Sequence, residues 1–152
     1  HTQPEWPTDP LFYVCCPSKT DNSVAPEGSE NLFFLIPIAS GLEDTSETRS
    51  HYYDLVLEKF EDITGQNIKE HIVYKKSYCI NDFKEDYNAY KGNAYGLANT
   101  LNQTANLKPK IKSKKVGNLF FSGQLTVPGP GVPPSIISGE ISANELLKQF
   151  KL

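Results

Sequence analysis

Apolar positions fall in short blocks whose period changes along the chain. Leu11 to Cys16 is a run of aromatic and branched residues bounded by Pro10 and Pro17, the pattern of a short buried strand. After a polar, turn-rich loop (Pro17 to Glu30), Asn31 to Ala39 (NLFFLIPIA) is almost continuously apolar and too short for a typical helix. It predicts a strand buried on both faces, with Pro37 at a bulge or an edge. From Asp44 the period becomes helical. Asp44 and Glu47 stand at capping-box spacing, Tyr52, Val56, Phe60 and Ile63 recur on one face, and Gly65 ends the run. Glu70 to Tyr74 predicts a further strand, and Asn81 to Tyr90, with Phe83 and Tyr87 four apart, a short helix capped by Asn81.

The second half is less regular. Gly92 to Leu107 mixes small residues and amides without a period and predicts irregular structure with a helical turn. Lys108 to Lys115 holds five lysines in eight residues, and the apolar block Asn118 to Ser122 (NLFFS) then predicts a buried strand ending at Gly123. From Pro133 the pattern is a helix carrying Ile136, Ala143, Leu147 and Phe150 on one side and the small residues Ser135, Gly139 and Ser142 on another.

Composition narrows the class. With 152 residues, 38% hydrophobic and 22% charged, the chain has the makings of one globular domain and no apolar run near the roughly 20 residues of a membrane-spanning helix. A net charge of -3 gives no field that would draw nucleic acid. Three cysteines, Cys15, Cys16 and Cys79, suit neither a paired disulfide framework nor a CxxC motif, which predicts a reducing, cytoplasmic setting. The absence of methionine and the proline-rich opening from His1 to Pro10 predict a piece of a longer polypeptide whose missing part lies upstream.

Candidate chemistry concentrates in one segment. A strand, a turn from Gly123 to Pro134 and a helix follow one another as in phosphate-binding turns, but GxGxxG spacing is absent. The turn can instead offer backbone N–H groups and a positive helix end to an electron-rich group, with Gly129 and Gly131 permitting close approach. Pro128, Pro130, Pro133 and Pro134 stiffen it and leave Val132 and Ser135 as the donors expected to matter. Tight packing of the small-residue helix face explains the same residues equally well.

Elsewhere the plainer explanations prevail. His51 and His71 lack carboxylate partners at ligand spacing, and Glu43, Asp44 and Glu47 are explained by helix capping, so no metal is expected. The lysine run reads as a solvated approach to a strand, its alternative being contact with anionic lipid at a membrane surface. Asn102-Gln103-Thr104 is a chance glycosylation sequon in a cytoplasmic setting, and Tyr95 and the aromatics of Leu11 to Tyr13 read as core.

The stretch SGQLTVPGPGVPPSIISG (Ser122 to Gly139) resembles the C-terminal flavin motif of bacterial-type phytoene desaturases and related carotenoid oxidoreductases, G-x-x-T-x-P-G-x-G-x-P followed by a small-residue helix. PSKTDNSVAPEG (Pro17 to Gly28) and GNAYGLANTLNQTANLKP (Gly92 to Pro109) resemble the same family in the same order, so the likeness covers nearly the whole chain. Gln124, Leu125 and Pro130 depart from the small residues frequent in the motif.

The resemblance implies an α+β fragment of an FAD-linked, amine-oxidase-like flavoprotein that is α/β in the parent. Residues 1–91 would be the latter part of the substrate domain and its sheet. Residues 92–152 would be the strand, turn and helix that return to the FAD domain, with the N-terminal dinucleotide-binding unit absent. Gly123 and Gln124 would approach the ribityl and phosphate side of FAD, and Gly131, Val132 and Ser135 the isoalloxazine; Thr126, Gly129 and Pro133 complete the cofactor-binding set. No catalytic base is identifiable. The activity implied is dehydrogenation of an apolar, phytoene-like carotenoid precursor, with the isolated piece inactive and not holding flavin. The alternatives are another carotenoid oxidoreductase (ketolase, isomerase or other desaturase) and a non-enzymatic module that binds apolar lipid or a partner.

Overall fold

The computed structural model describes residues 4–98, 100–104 and 107–151. Its regular elements are a two-stranded antiparallel sheet and three helices, an α+β assortment: β1 (Tyr13–Cys15), β2 (Phe33–Leu35), α1 (Ser46–Thr64), α2 (Ile80–Tyr87) and α3 (Val132–Phe150). Short 3-10 turns join them. The chain divides into two compact units, His1–Asn93 and Ala94–Leu152.

In the first unit β1 and β2 pair with Tyr13 opposite Leu35, Val14 opposite Phe34 and Cys15 opposite Phe33. Because side chains alternate, one face carries Phe34 edge-on to Phe60 of α1, at 5.2 Å between centroids, while Tyr13 and Phe33 on the other face stay exposed. The expected burial of the second strand on both faces is therefore corrected: among the described residues no second layer covers it. Leu11, Tyr13 and Tyr95 are likewise exposed rather than core. Pro37 lies beyond the end of β2.

Helix α1 starts one residue later than its acidic signal suggested. Thr45 is the cap, its hydroxyl accepting the Thr48 N–H at 3.1 Å, and Gly65 closes the helix in the left-handed conformation at φ 67°. Tyr52, Val56 and Leu57 form the buried face, whereas Ile63 is exposed. The proline-rich opening is tied to this helix: Trp6 stacks on Tyr52 at 4.7 Å and donates to Glu43 O, and the Tyr52 hydroxyl donates to Pro7 O at 2.6 Å.

Glu70–Tyr74 is not a strand. It begins in a 3-10 turn and continues as coil with Val73 and Tyr74 exposed, since among the described residues no neighbouring strand satisfies its backbone. Helix α2 is capped at Cys79, whose N–H donates to Asp82 Oδ2 at 2.7 Å, and not at Asn81. Asn81 is engaged elsewhere, with Asp44. The Asp44 carboxylate takes a fork from Arg49 (Nε 2.6 Å, Nη2 2.7 Å) and the Asn81 N–H at 2.7 Å, while Arg49 also pairs with Asp82 at 2.7 Å. This node joins the start of α1 to the start of α2. Beyond α2, Gly92 at φ 66° brings its Cα so close to Ile80 that a Cβ would lie 2.4 Å from the Ile80 carbonyl oxygen.

In the second unit the segment from residue 94 is irregular and holds a 3-10 turn, Leu101–Gln103; residues 99, 105 and 106 of that predicted stretch lie outside the described residues. The block Asn118 to Ser122 forms a single antiparallel bridge, Lys112 with Phe120, flanked by Phe121 N–H to Ile111 O at 2.7 Å. Leu119 and Phe121 are exposed, so the predicted buried strand is reduced to one bridge that buries Ile111.

Candidate functional site

The turn from Gly123 to Gly131 is built on backbone that only glycine adopts freely: Gly123, Gly129 and Gly131 have φ of 102°, 141° and 111°. Its first part is closed by the Thr126 N–H, which donates to Gly123 O at 3.1 Å. Gly129 is buried beneath the side chain of Lys108; a Cβ there would meet Lys108 Cε at 3.3 Å. Lys108, only 6% exposed, thus belongs to the turn's own packing, unlike Lys110, Lys112, Lys114 and Lys115, which are solvated as expected of the run.

Helix α3 begins at Val132 with Gly131 as its cap. Pro133 and Pro134 carry no N–H, and the Ser135 N–H donates to Gly131 O at 3.0 Å as the first intrahelical bond. Ser135 is therefore not an available donor, which corrects the expectation placed on it. Val132 is 74% exposed and Gly131 is exposed too; neither N–H has an acceptor among the described residues. The outward donors of the helix start are thus Gly131 and Val132, reinforced by the positive end of a 19-residue helix.

Thr126 also differs from expectation. It is 3% exposed and its hydroxyl turns inward, to Gly123 O at 3.0 Å and Ser138 Oγ at 2.7 Å. Its side chain holds the turn and offers no hydrogen bond outward. Ser138, fully buried, was not singled out in the sequence, although it stands three residues after Ser135 and shares the small-residue face. Gln124 and Gly123 are partly exposed beside the turn, and Pro133 lies at its outer surface. The small face of α3 packs inward through Ser138, while Val132, Ile136, Ile137, Leu147 and Phe150 on its other sides remain exposed.

From Asn118 to Gly139 the chain has no charged residue. A group approaching the Gly131–Val132 edge would meet amide dipoles and apolar side chains, with the Lys108 side chain packed against Gly129 within the same turn.

Over 148 residues, 97% of the chain, the sequence is 51% identical to the carotenoid 3,4-desaturase of Haloarcula japonica. The chain is homologous to part of the carotenoid desaturases. It is also 33% identical over 150 residues to the 4,4'-diapophytoene desaturase (4,4'-diaponeurosporene-forming) of Staphylococcus aureus strain Newman. In both comparisons the chain spans 30% of the desaturase's length. No family model matches the sequence.

Other candidate centres in this desaturase homologue are structural. His51 lies edge-on to Tyr52 and His71 is exposed in a 3-10 turn. Burial pushes the Cys79 thiol above its ordinary value, which disfavours the reactive thiolate. Among the described residues no three His, Cys, Asp or Glu side chains are grouped to hold a metal, and no helix is long and apolar enough to cross a membrane.

Proposed function

We propose that this chain is the C-terminal, flavin-facing portion of an FAD-dependent carotenoid desaturase, with residues 1–91 continuing the substrate domain and residues 92–152 returning to the flavin domain. The observation that carries the reading is the 51% identity to a carotenoid desaturase over 97% of the chain. The uncharged turn, its two outward N–H groups and the exposed apolar sides of α3 support it.

FAD, when bound, supplies the hydride acceptor for dehydrogenation of an allylic carbon pair. The chain's own residues bind and orient. Gly123, lacking a side chain, and Gln124 would hold the ribityl and phosphate side. Gly131 and Val132 would offer their N–H groups to the isoalloxazine, and Gly129 and Pro133 shape the backbone between. The positive start of α3 would favour negative charge on such a ring. Ser135 acts through the helix end it belongs to. The substrate is a long apolar polyene, and a polyene enzyme drawing on a lipid store would meet a membrane surface through peripheral contact, in the cytoplasm.

The relative of 51% identity is named for desaturation of a carotenoid at the 3,4 position. The intact parent enzyme, expressed with carotenoid precursors of graded desaturation, tests the reading: new conjugation in the pigment supports a desaturase. A ketone or a geometric isomer as sole product would assign a different carotenoid oxidoreductase, and unchanged pigment would leave a lipid-binding role.

A further inference from the structure

Thr126 and Ser138 bury two hydroxyls 2.7 Å apart, at 3% and 0% exposure. Buried hydroxyls are tolerated when each both donates and accepts. The proton positions follow from the partners. Gly123 N–H can only donate, and it points at Ser138 Oγ, 3.0 Å away. Gly123 C=O can only accept, and Thr126 Oγ1 lies 3.0 Å from it, so the Thr126 proton goes there. The Ser138 proton then points at Thr126 Oγ1. The result is a closed ring, Gly123 N–H to Ser138 hydroxyl to Thr126 hydroxyl to Gly123 C=O, in which every donor has an acceptor and each bond polarises the next.

This ring fastens the loop at both ends, because Thr126 closes the Gly123 turn and Ser138 sits within α3, 12 residues further on. Between them lie Gly129 and Gly131, at φ of 141° and 111° and with the broad conformational range of glycine, which lead into Val132 at the start of α3. We propose that Thr126 and Ser138 are positioning residues for the flavin: their hydroxyl ring fixes the Gly131 and Val132 N–H groups at the ring edge, without touching the flavin themselves. The inference rests on the flavin reading above.

The test uses the intact parent enzyme with Thr126→Val, Thr126→Ser and Ser138→Ala. The readouts are the FAD dissociation constant from fluorescence quenching on the apoprotein, the flavin midpoint potential and the melting temperature of the apoprotein. Thr126→Val and Ser138→Ala are expected to weaken FAD binding about tenfold and to lower the potential, since loosely held donors stabilise the reduced ring less. Thr126→Ser, which keeps the hydroxyl, is expected to rescue both, and the double variant to lose little more than either single one, as members of one ring do. FAD affinity and potential unchanged in Thr126→Val and Ser138→Ala would overturn the proposal, as would equal impairment in Thr126→Ser. A wild-type parent that binds no flavin would refute the underlying reading instead, a result distinct from wild-type binding with indifferent variants.

Discussion

Replacing Asp44 by Asn removes one charge from the node that joins α1 to α2 and changes almost nothing in shape. The Asp44 side chain is fully buried and accepts three bonds, two from Arg49 and one from the Asn81 N–H. An amide that sets its oxygen at the Oδ2 position keeps the bonds from Arg49 Nη2 and the Asn81 N–H and turns its NH2 toward Arg49 Nε, so one of the three bonds fails. Hydrogen bonds to charged groups contribute about 1.5–3 kcal/mol each, which sets the gross loss. Arg49 keeps Asp82 and is 24% exposed, so solvent returns about half, leaving a loss of about 1 kcal/mol. For a unit the size of His1–Asn93 that is a fall in melting temperature of about 4–8 °C. Urea melts of the chain and the variant, followed by circular dichroism, measure it. The Arg49 fork holds the Asp44 carboxyl below its ordinary value. With the folded value depressed, the charge contributes fully above the unfolded value of about 3.9 and its contribution vanishes as pH falls through the folded one. The gap between chain and variant should be constant from about pH 7 to 5 and close below about pH 4. A loss under about 0.5 kcal/mol, or a gap that widens with acid, would refute this account of the node.

Two further predictions concern backbone. Gly92→Ala should destabilise by about 3 kcal/mol or more, adding the left-handed penalty to a clash with Ile80, whereas Gly65→Ala, with open space around its Cβ, should cost only about 1 kcal/mol. Parallel denaturant melts compare them. Thr45→Ala should cost about 1 kcal/mol by removing the cap of α1, read in the same melts, while Glu47→Gln should cost less.

How far the sequence disclosed this structure depends on what each feature needed. Helix α1 and its Gly65 terminus were legible because period and stop signal are local. Its cap was misplaced because Asp44 and Thr45 are both capping residues, and the choice was decided by Arg49 and by Asn81, 37 positions away. The strands were found by their β-branched and aromatic content, but their burial was overestimated, since what covers a sheet is not written in the strand. The turn was legible from its glycines and prolines. The loss of Ser135 as a donor was implicit in Pro133 and Pro134, which make its N–H the first free to close the helix. Ser138 was missed because one serine beside a small-residue stripe is indistinguishable, locally, from packing.

The central claim, that the start of α3 presents main-chain donors to a flavin, is tested most directly at Val132. Proline is well accommodated at the first position of a helix, so Val132→Pro removes that N–H and leaves the helix in place. In the intact parent enzyme, flavin titration should show wild-type protein binding FAD and the variant binding about tenfold more weakly, with the apoprotein melting temperature unchanged. Equal FAD affinity in the two proteins, or a wild-type enzyme without the visible spectrum of bound flavin, would contradict it.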